Sequence, residues 1–155
     1  MRTVYIGKRR QNAIQYGINS IKAIIDRIPD EHTRNIQGKR FPDATRGLVP
    51  FSDTCRRIVY MPGWVENHFE FYEFQWIVFH EVGHIINNHK FTNLHFEFIA
   101  DEYAVRLQCR IGFGICALTK ISEREMRLNG ERIIYVGDAE IQRRINRLRK
   151  LGLPY

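Results

Sequence analysis

The chain has 155 residues, 44% of them hydrophobic and 12% aromatic, which is enough apolar material for one buried core and excludes an intrinsically disordered protein. Its formal net charge is +7, with twelve Lys/Arg against five Asp/Glu in residues 1–60, four against seven in 61–120, and eight against five in 121–155. The basic ends allow contact with nucleic acid or an anionic surface, but no nucleic-acid motif accompanies them, so a solvated basic surface is the preferred reading.

No apolar run approaches the length of a membrane span. The first ten residues, Met1 onward, hold no apolar signal core, so a cytoplasmic protein is expected. Cys55, Cys109 and Cys116 are an odd number without C-x-x-C spacing and read as ordinary buried thiols.

In chain order, Val4-Tyr5-Ile6 reads as a short strand. A helix is predicted over residues 11–28: Ile14, Ile18, Ile21, Ile25 and Ile28 recur at helical spacing as one apolar stripe, and Pro29 stops it. Residues 30–53 are polar and interrupted by Gly38, Pro42, Gly47 and Pro50, so they read mostly as loop, with a short strand around Gly47-Leu48-Val49. Arg57-Ile58-Val59-Tyr60-Met61 is β-branched and aromatic and ends at Pro62-Gly63, which predicts a strand. Residues 64–72 are rich in aromatics and lead into a helix. Glu66, Glu70 and Glu73 near its start read as solvated acids. A second helix is predicted from about 93 to 110, broken by Gly112 and Gly114, and a third from 115 to about 127, turning at Leu128-Asn129-Gly130. Ile133-Ile134-Tyr135-Val136 fits a strand or a packed loop. Asp138 is placed to cap a last helix with Ile141, Ile145, Leu148 and Leu151 as its buried stripe and Arg143, Arg144, Arg147, Arg149 and Lys150 on its other sides. No repeat, linker or low-complexity tract interrupts the chain, so residues 1–155 read as a single domain.

The chemistry lies in His80-Glu81-Val82-Gly83-His84. Residues four apart share a helix face, so His80 and His84 can present ring nitrogens to one metal ion, and Glu81 is placed to act on a metal-bound water as general base. A catalytic site of this kind needs a third protein ligand and an open position. Downstream, Glu97 and Asp101 are again four apart. Glu97 can complete the ligand set, while Asp101, one turn on, can fix the ring of a ligating histidine, His80 by preference. His95, two residues before Glu97, is the competing ligand. It points to another face of a helix, and Asp101 favours Glu97. His89 is turned off the ligand face and reads as a polar residue at a helix end. A purely structural zinc site needs no general base, so Glu81 argues against a binding or regulatory module that keeps a zinc fold without turnover.

H-E-x-x-H followed by Glu97-Phe98-Ile99-Ala100-Asp101-Glu102-Tyr103-Ala104 resembles the gluzincin zinc peptidases. Within them it is most similar to the HtpX and CAAX-prenyl-protease family and its soluble, minigluzincin-like members. Asp101 to Leu107 leading to Arg110-Ile111-Gly112-Phe113 is similar to that family's stretch after the glutamate, and Arg144-Ile145-Asn146-Arg147-Leu148 to its closing R-I-x-x-L helix. The family's transmembrane helices are absent, and Gly137-Asp138 stands where a His-Pro pair is often found. Metzincins fit worse, because Asn87 and Lys90 occupy the positions where they need Gly and His.

The expectation is therefore an α+β, mostly helical, zincin-like domain with a small sheet beside the H-E-x-x-H helix. One Zn²⁺ per chain is held by His80, His84 and Glu97, with water in the fourth position. Glu81 serves as base in peptide-bond hydrolysis, Asp101 supports a ligand, and the oxyanion donor is one of Tyr103, Tyr135, His95 and Arg144. The partner is a peptide or protein substrate, and the oligomeric state is not readable. The alternatives are the non-catalytic zinc-fold module and a nucleic-acid-associated protease acting on bound proteins. The strand at residues 57–61 is expected to be the sheet edge beside the zinc, to which an extended peptide adds.

Overall fold

The computed structural model describes residues 18–41, 49–129 and 136–155. The expected strand at Val4-Tyr5-Ile6, the first half of the helix predicted at 11–28, Gly47-Leu48, and Ile133-Ile134-Tyr135 lie outside the described residues.

Helix α1 is described from Ile18 to Asp26. Its residues Ile21 and Ile25 are fully buried, as the isoleucine stripe requires. Single-turn hydrogen bonds from Arg27 and Ile28 to the carbonyls of Ile24 and Ile25 end it ahead of Pro29. Asp30 then accepts a hydrogen bond from the His32 amide at 2.9 Å and starts a 3₁₀ turn at Glu31–Thr33.

Three strands follow: β1, Gln37–Phe41; β2, Phe51–Asp53; and β3, Ile58–Pro62. Two of them fall in residues 30–53, which read as mostly loop. Nothing local in Gln-Gly-Lys-Arg-Phe announces a strand; β1 exists because it pairs, parallel, with β3. Gly38 of β1 is needed for close approach, since a Cβ there would meet Ile21 Cγ2 of α1 at 2.3 Å.

The order β1-β3-β2 corrects the expectation that residues 57–61 form a free edge. Strand β3 is central: Gln37 to Phe41 register with Ile58 to Pro62 on one side, and Phe51, Ser52 and Asp53 register with Tyr60, Val59 and Ile58 on the other. The cause is the tight turn between β2 and β3, in which the Asp53 carboxylate accepts from the Arg56 amide at 2.9 Å and Arg57 takes a left-handed φ of 59°. That turn lays β2 antiparallel along β3. Among the described residues β2 pairs with no second strand and forms the sheet edge.

One helical turn, α2 (Val65–His68), precedes the long helix α3 (Phe71–Ile86). Helix α3 buries Phe74, Trp76, Ile77, Val78, Val82 and Ile85 on nearly all sides, so it is the axis of the core. The sheet packs on one flank of it, and α4 (Leu94–Gln108) and α5 (Gly112–Asn129) on others. Helix α6 (Val136–Arg149) closes over α4 and α5 with Ile141, Ile145 and Leu148 buried. Asp138 lies inside the first turn of α6 and not ahead of it.

Two glycines permit the close helix packing. A Cβ on Gly83 would sit 3.2 Å from the Ala100 backbone of α4, and one on Gly114 would meet Trp76 Nε1 at 2.6 Å. Gly112 and Gly114 therefore begin α5 and do not break α4, which ends earlier at Cys109 with a left-handed φ of 61°. Cys55 and Cys109 are exposed and Cys116 is partly so, contrary to the expectation of buried thiols; the first two lie in a turn and a helix terminus. Glu73 is also corrected. It is buried and paired with Lys120 of α5 at 2.7 Å.

Candidate metal centre

Helix α3 carries His80, Glu81 and His84 in its second half, all buried. Helix α4 starts where Asn93 caps it, its side chain accepting the Phe96 amide at 2.8 Å, which places Glu97 in the first turn. The close packing at Gly83 brings that turn against the histidines. His80 Nε2 and His84 Nε2 stand 3.2 Å apart, and the Glu97 carboxylate oxygens lie 3.1 Å from the first and 3.4 Å from the second. Donors bound tetrahedrally at about 2.0–2.1 Å are separated by roughly 3.3 Å. The spacing and the donor set both fit, and His80, His84 and Glu97 form a group that can hold a metal ion.

The ring nitrogens facing away from the cluster are also engaged. His80 Nδ1 lies 2.8 Å from Asp101 Oδ1, as the spacing of Glu97 and Asp101 predicts. Arg144 of α6 holds both Asp101 oxygens at 2.8 Å and lies 3.4 Å from Glu97. Its guanidinium thus neutralises two carboxylates at once, the buried Asp101 and the partly buried Glu97.

His84 has a partner that the sequence reading missed. His84 Nδ1 is 2.9 Å from His89 Nδ1, and His89 is buried. The helix ending explains the approach. Asn88 is left-handed at φ 59°, its amide donates to Ile85 O at 3.0 Å, and the His89 amide donates to His84 O at 2.9 Å. This is a Schellman ending, which folds the chain back so that the residue after the left-handed one meets the helix's last turn. His89 also stacks on Phe96, with ring centroids 4.0 Å apart and planes at 8°. The Asn87-Asn88 pair was the available sequence signal, since asparagine tolerates the left-handed position.

The electrostatics follow from burial set against these contacts. Burial opposes charge on His80, but the Asp101 and Glu97 carboxylates overcome it and raise the ring to about 10. Burial also opposes charge on Glu97, yet hydrogen bonds with His80 and His84 hold that carboxyl well below its usual range. Asp101 is likewise held low against burial by Arg144. Glu81 moves the other way: burial pushes it up, against the nearby histidines and a hydrogen bond from Ser52 of β2. Burial and the neighbouring His84 push His89 down.

His80, Glu81, His84, His89, Glu97 and Arg144 line a cleft of about 570 Å³, with β2, Trp76, Ile121, Lys90, Phe91 and Glu140. Arg144 is the one oxyanion candidate among its lining residues, and it is already committed to Asp101. His95 is exposed on α4 and does not line the cleft. The Tyr103 hydroxyl is buried with no hydrogen-bond partner among the described residues, and burial together with the charge of Asp30 pushes it up to about 12. Tyr103 does not line the cleft, and Tyr135 lies outside the described residues. Ser52 and Trp76, whose ring centroid is 5.3 Å from that of His80, had no sequence signature. No helix among the described residues is long and apolar enough to cross a membrane. Comparison with protein-family models, with curated proteins and with solved structures found no match.

Proposed function

We propose that the chain is a zinc-dependent metallopeptidase of the gluzincin type, resembling the soluble members of the HtpX and CAAX-prenyl-protease family. One observation carries this reading: the His80, His84 and Glu97 donors meet in an open cleft beside a buried carboxylate, Glu81, that lies outside the donor set. Two imidazoles and a carboxylate suit Zn²⁺, which when bound supplies Lewis acidity toward a carbonyl and toward water.

The chain's own residues do the rest. Asp101 and His89 hold the two rings in place from behind. Glu81, with its proton affinity raised by burial, takes a proton from the attacking water and returns it to the leaving amine. The Ser52 hydroxyl keeps that carboxylate turned into the cleft. Strand β2, which stands at the end of the sheet among the described residues and lines the cleft, is where an extended peptide would add, the role first expected of the central strand β3.

Elemental analysis of protein purified without added metal is expected to give about one zinc per chain. His84→Ala combined with Glu97→Ala abolishes it; full zinc occupancy in that variant overturns the assignment. Glu81→Gln keeps the zinc and lowers peptide hydrolysis by at least ~100-fold. Wild-type activity in that variant removes Glu81 from the mechanism.

A further inference from the structure

We infer that Thr54 is a positioning residue for the metal centre: it fixes the backbone of His89 and, through the His89 ring, the orientation of His84. This rests on the metal-binding half of the reading above and not on peptide hydrolysis.

Thr54 stands in the tight turn that follows β2. The bond from the Arg56 amide to Asp53 and the left-handed Arg57 shape that turn, so the hydroxyl is presented from a fixed backbone. Its Oγ1 donates to the His89 carbonyl at 2.6 Å, at the short end of the range for a hydroxyl donor, across 35 residues of chain. Side chains two apart along an extended segment share a side. Ser52 and Thr54 accordingly both reach toward α3 and its C-terminal end. Ser52 bonds Glu81, and Thr54 bonds the residue that backs His84. One short segment thus holds the base and, separately, the support of a metal ligand.

The His89 carbonyl is where such an anchor counts. The Schellman ending fixes the His89 amide on His84 O, and Phe96 covers one face of the ring. Beyond His89, among the described residues, Lys90, Phe91 and Thr92 make no backbone-to-backbone hydrogen bond before α4 begins at Leu94. The Thr54 hydroxyl is there the hydrogen-bond partner of the peptide unit joining His89 to Lys90. Without it that unit is free to rotate, and the His89 ring shifts from its 2.9 Å contact with His84 Nδ1. A ligating ring whose far nitrogen is unsupported holds its metal less tightly.

The test reads zinc affinity by chelator competition on the whole chain. Thr54→Val keeps the side-chain shape and removes the hydroxyl. It is expected to weaken zinc binding roughly tenfold, the low end of what a lost partner of a ligating ring costs. Thr54→Ser keeps the donor and retains native affinity. In a His89→Ala background the same valine changes affinity by less than about twofold, because the ring through which it acts is gone. Arg56→Ala removes an exposed side chain from the same turn and leaves affinity native. Native affinity in Thr54→Val, no recovery in Thr54→Ser, an undiminished loss in the His89→Ala background, or an equal loss in Arg56→Ala each overturns the inference. Should Thr54→Val fail to fold, Thr54→Ala carries the same expectations. A wild-type chain that binds no zinc overturns this inference and the metal reading together. The expected loss in Thr54→Val, in a protein whose wild type cleaves no peptide, upholds Thr54 and sinks the peptidase.

Discussion

His80 and His84 are held from behind by chemically different partners, a carboxylate and an imidazole. Asp101 keeps His80 oriented and raises its basicity. His89 can only accept from a ligating His84, and so must be neutral with its proton on Nε2. Replacing either partner leaves a ligand ring free to turn. Asp101→Ala and His89→Ala are each expected to weaken zinc affinity by ~10–100-fold in a chelator competition. Unchanged affinity in His89→Ala would make the 2.9 Å contact a packing feature only. The proton on His80 gives a second expectation. With its ring raised to about 10, the ion-free protein holds that proton at neutral pH and a metal ion must displace it. Affinity therefore rises with pH from 6 to 9, and calorimetry in buffers of different ionisation heat should find about one proton released per ion bound. No proton release would show His80 neutral before binding.

At the level of elements, the site depends on how near α4 and α5 come to α3. Gly83 lets α4 place Glu97 against the histidines, and Gly114 lets α5 pack over Trp76, which in turn lies against His80. Gly114→Ala drives a Cβ into the indole and is expected to cost ~1–3 kcal/mol of stability, seen as a lower urea midpoint with an unchanged slope. Gly83→Ala meets the Ala100 backbone and the Tyr103 ring. It should lower zinc affinity as well as stability, because it widens the gap that Glu97 must span. A Gly83→Ala protein with native zinc affinity would show that α4 can shift without moving its ligand.

Over the whole molecule, the donors join two helices and Arg144 of α6 ties a third to them. A bound ion should therefore stabilise the native state as a unit. At a hundredfold excess over Kd the gain is about 2.7 kcal/mol, which for a chain of this size raises Tm by roughly 5–10 °C. Calorimetry with and without chelator reads it directly. Equal Tm values would mean that the ion does not bridge these helices in solution.

The sequence alone determined what depends on short-range geometry. Helical periodicity placed His80 with His84 and Glu97 with Asp101, a helix was expected from about residue 93, close to where α4 begins, and the isoleucine stripes marked the buried faces of α1 and α6. Each involves residues within about one turn of each other or repeating at the helical period, where bond geometry leaves few choices. The tertiary structure decided the rest. It made β3 central and β2 the edge, because strand order is a matter of pairing between distant segments. It buried Glu73 on Lys120 and set Arg144 on Asp101, partners 47 and 43 residues apart. It also turned His89 under His84, through one left-handed asparagine whose effect on direction no periodicity records.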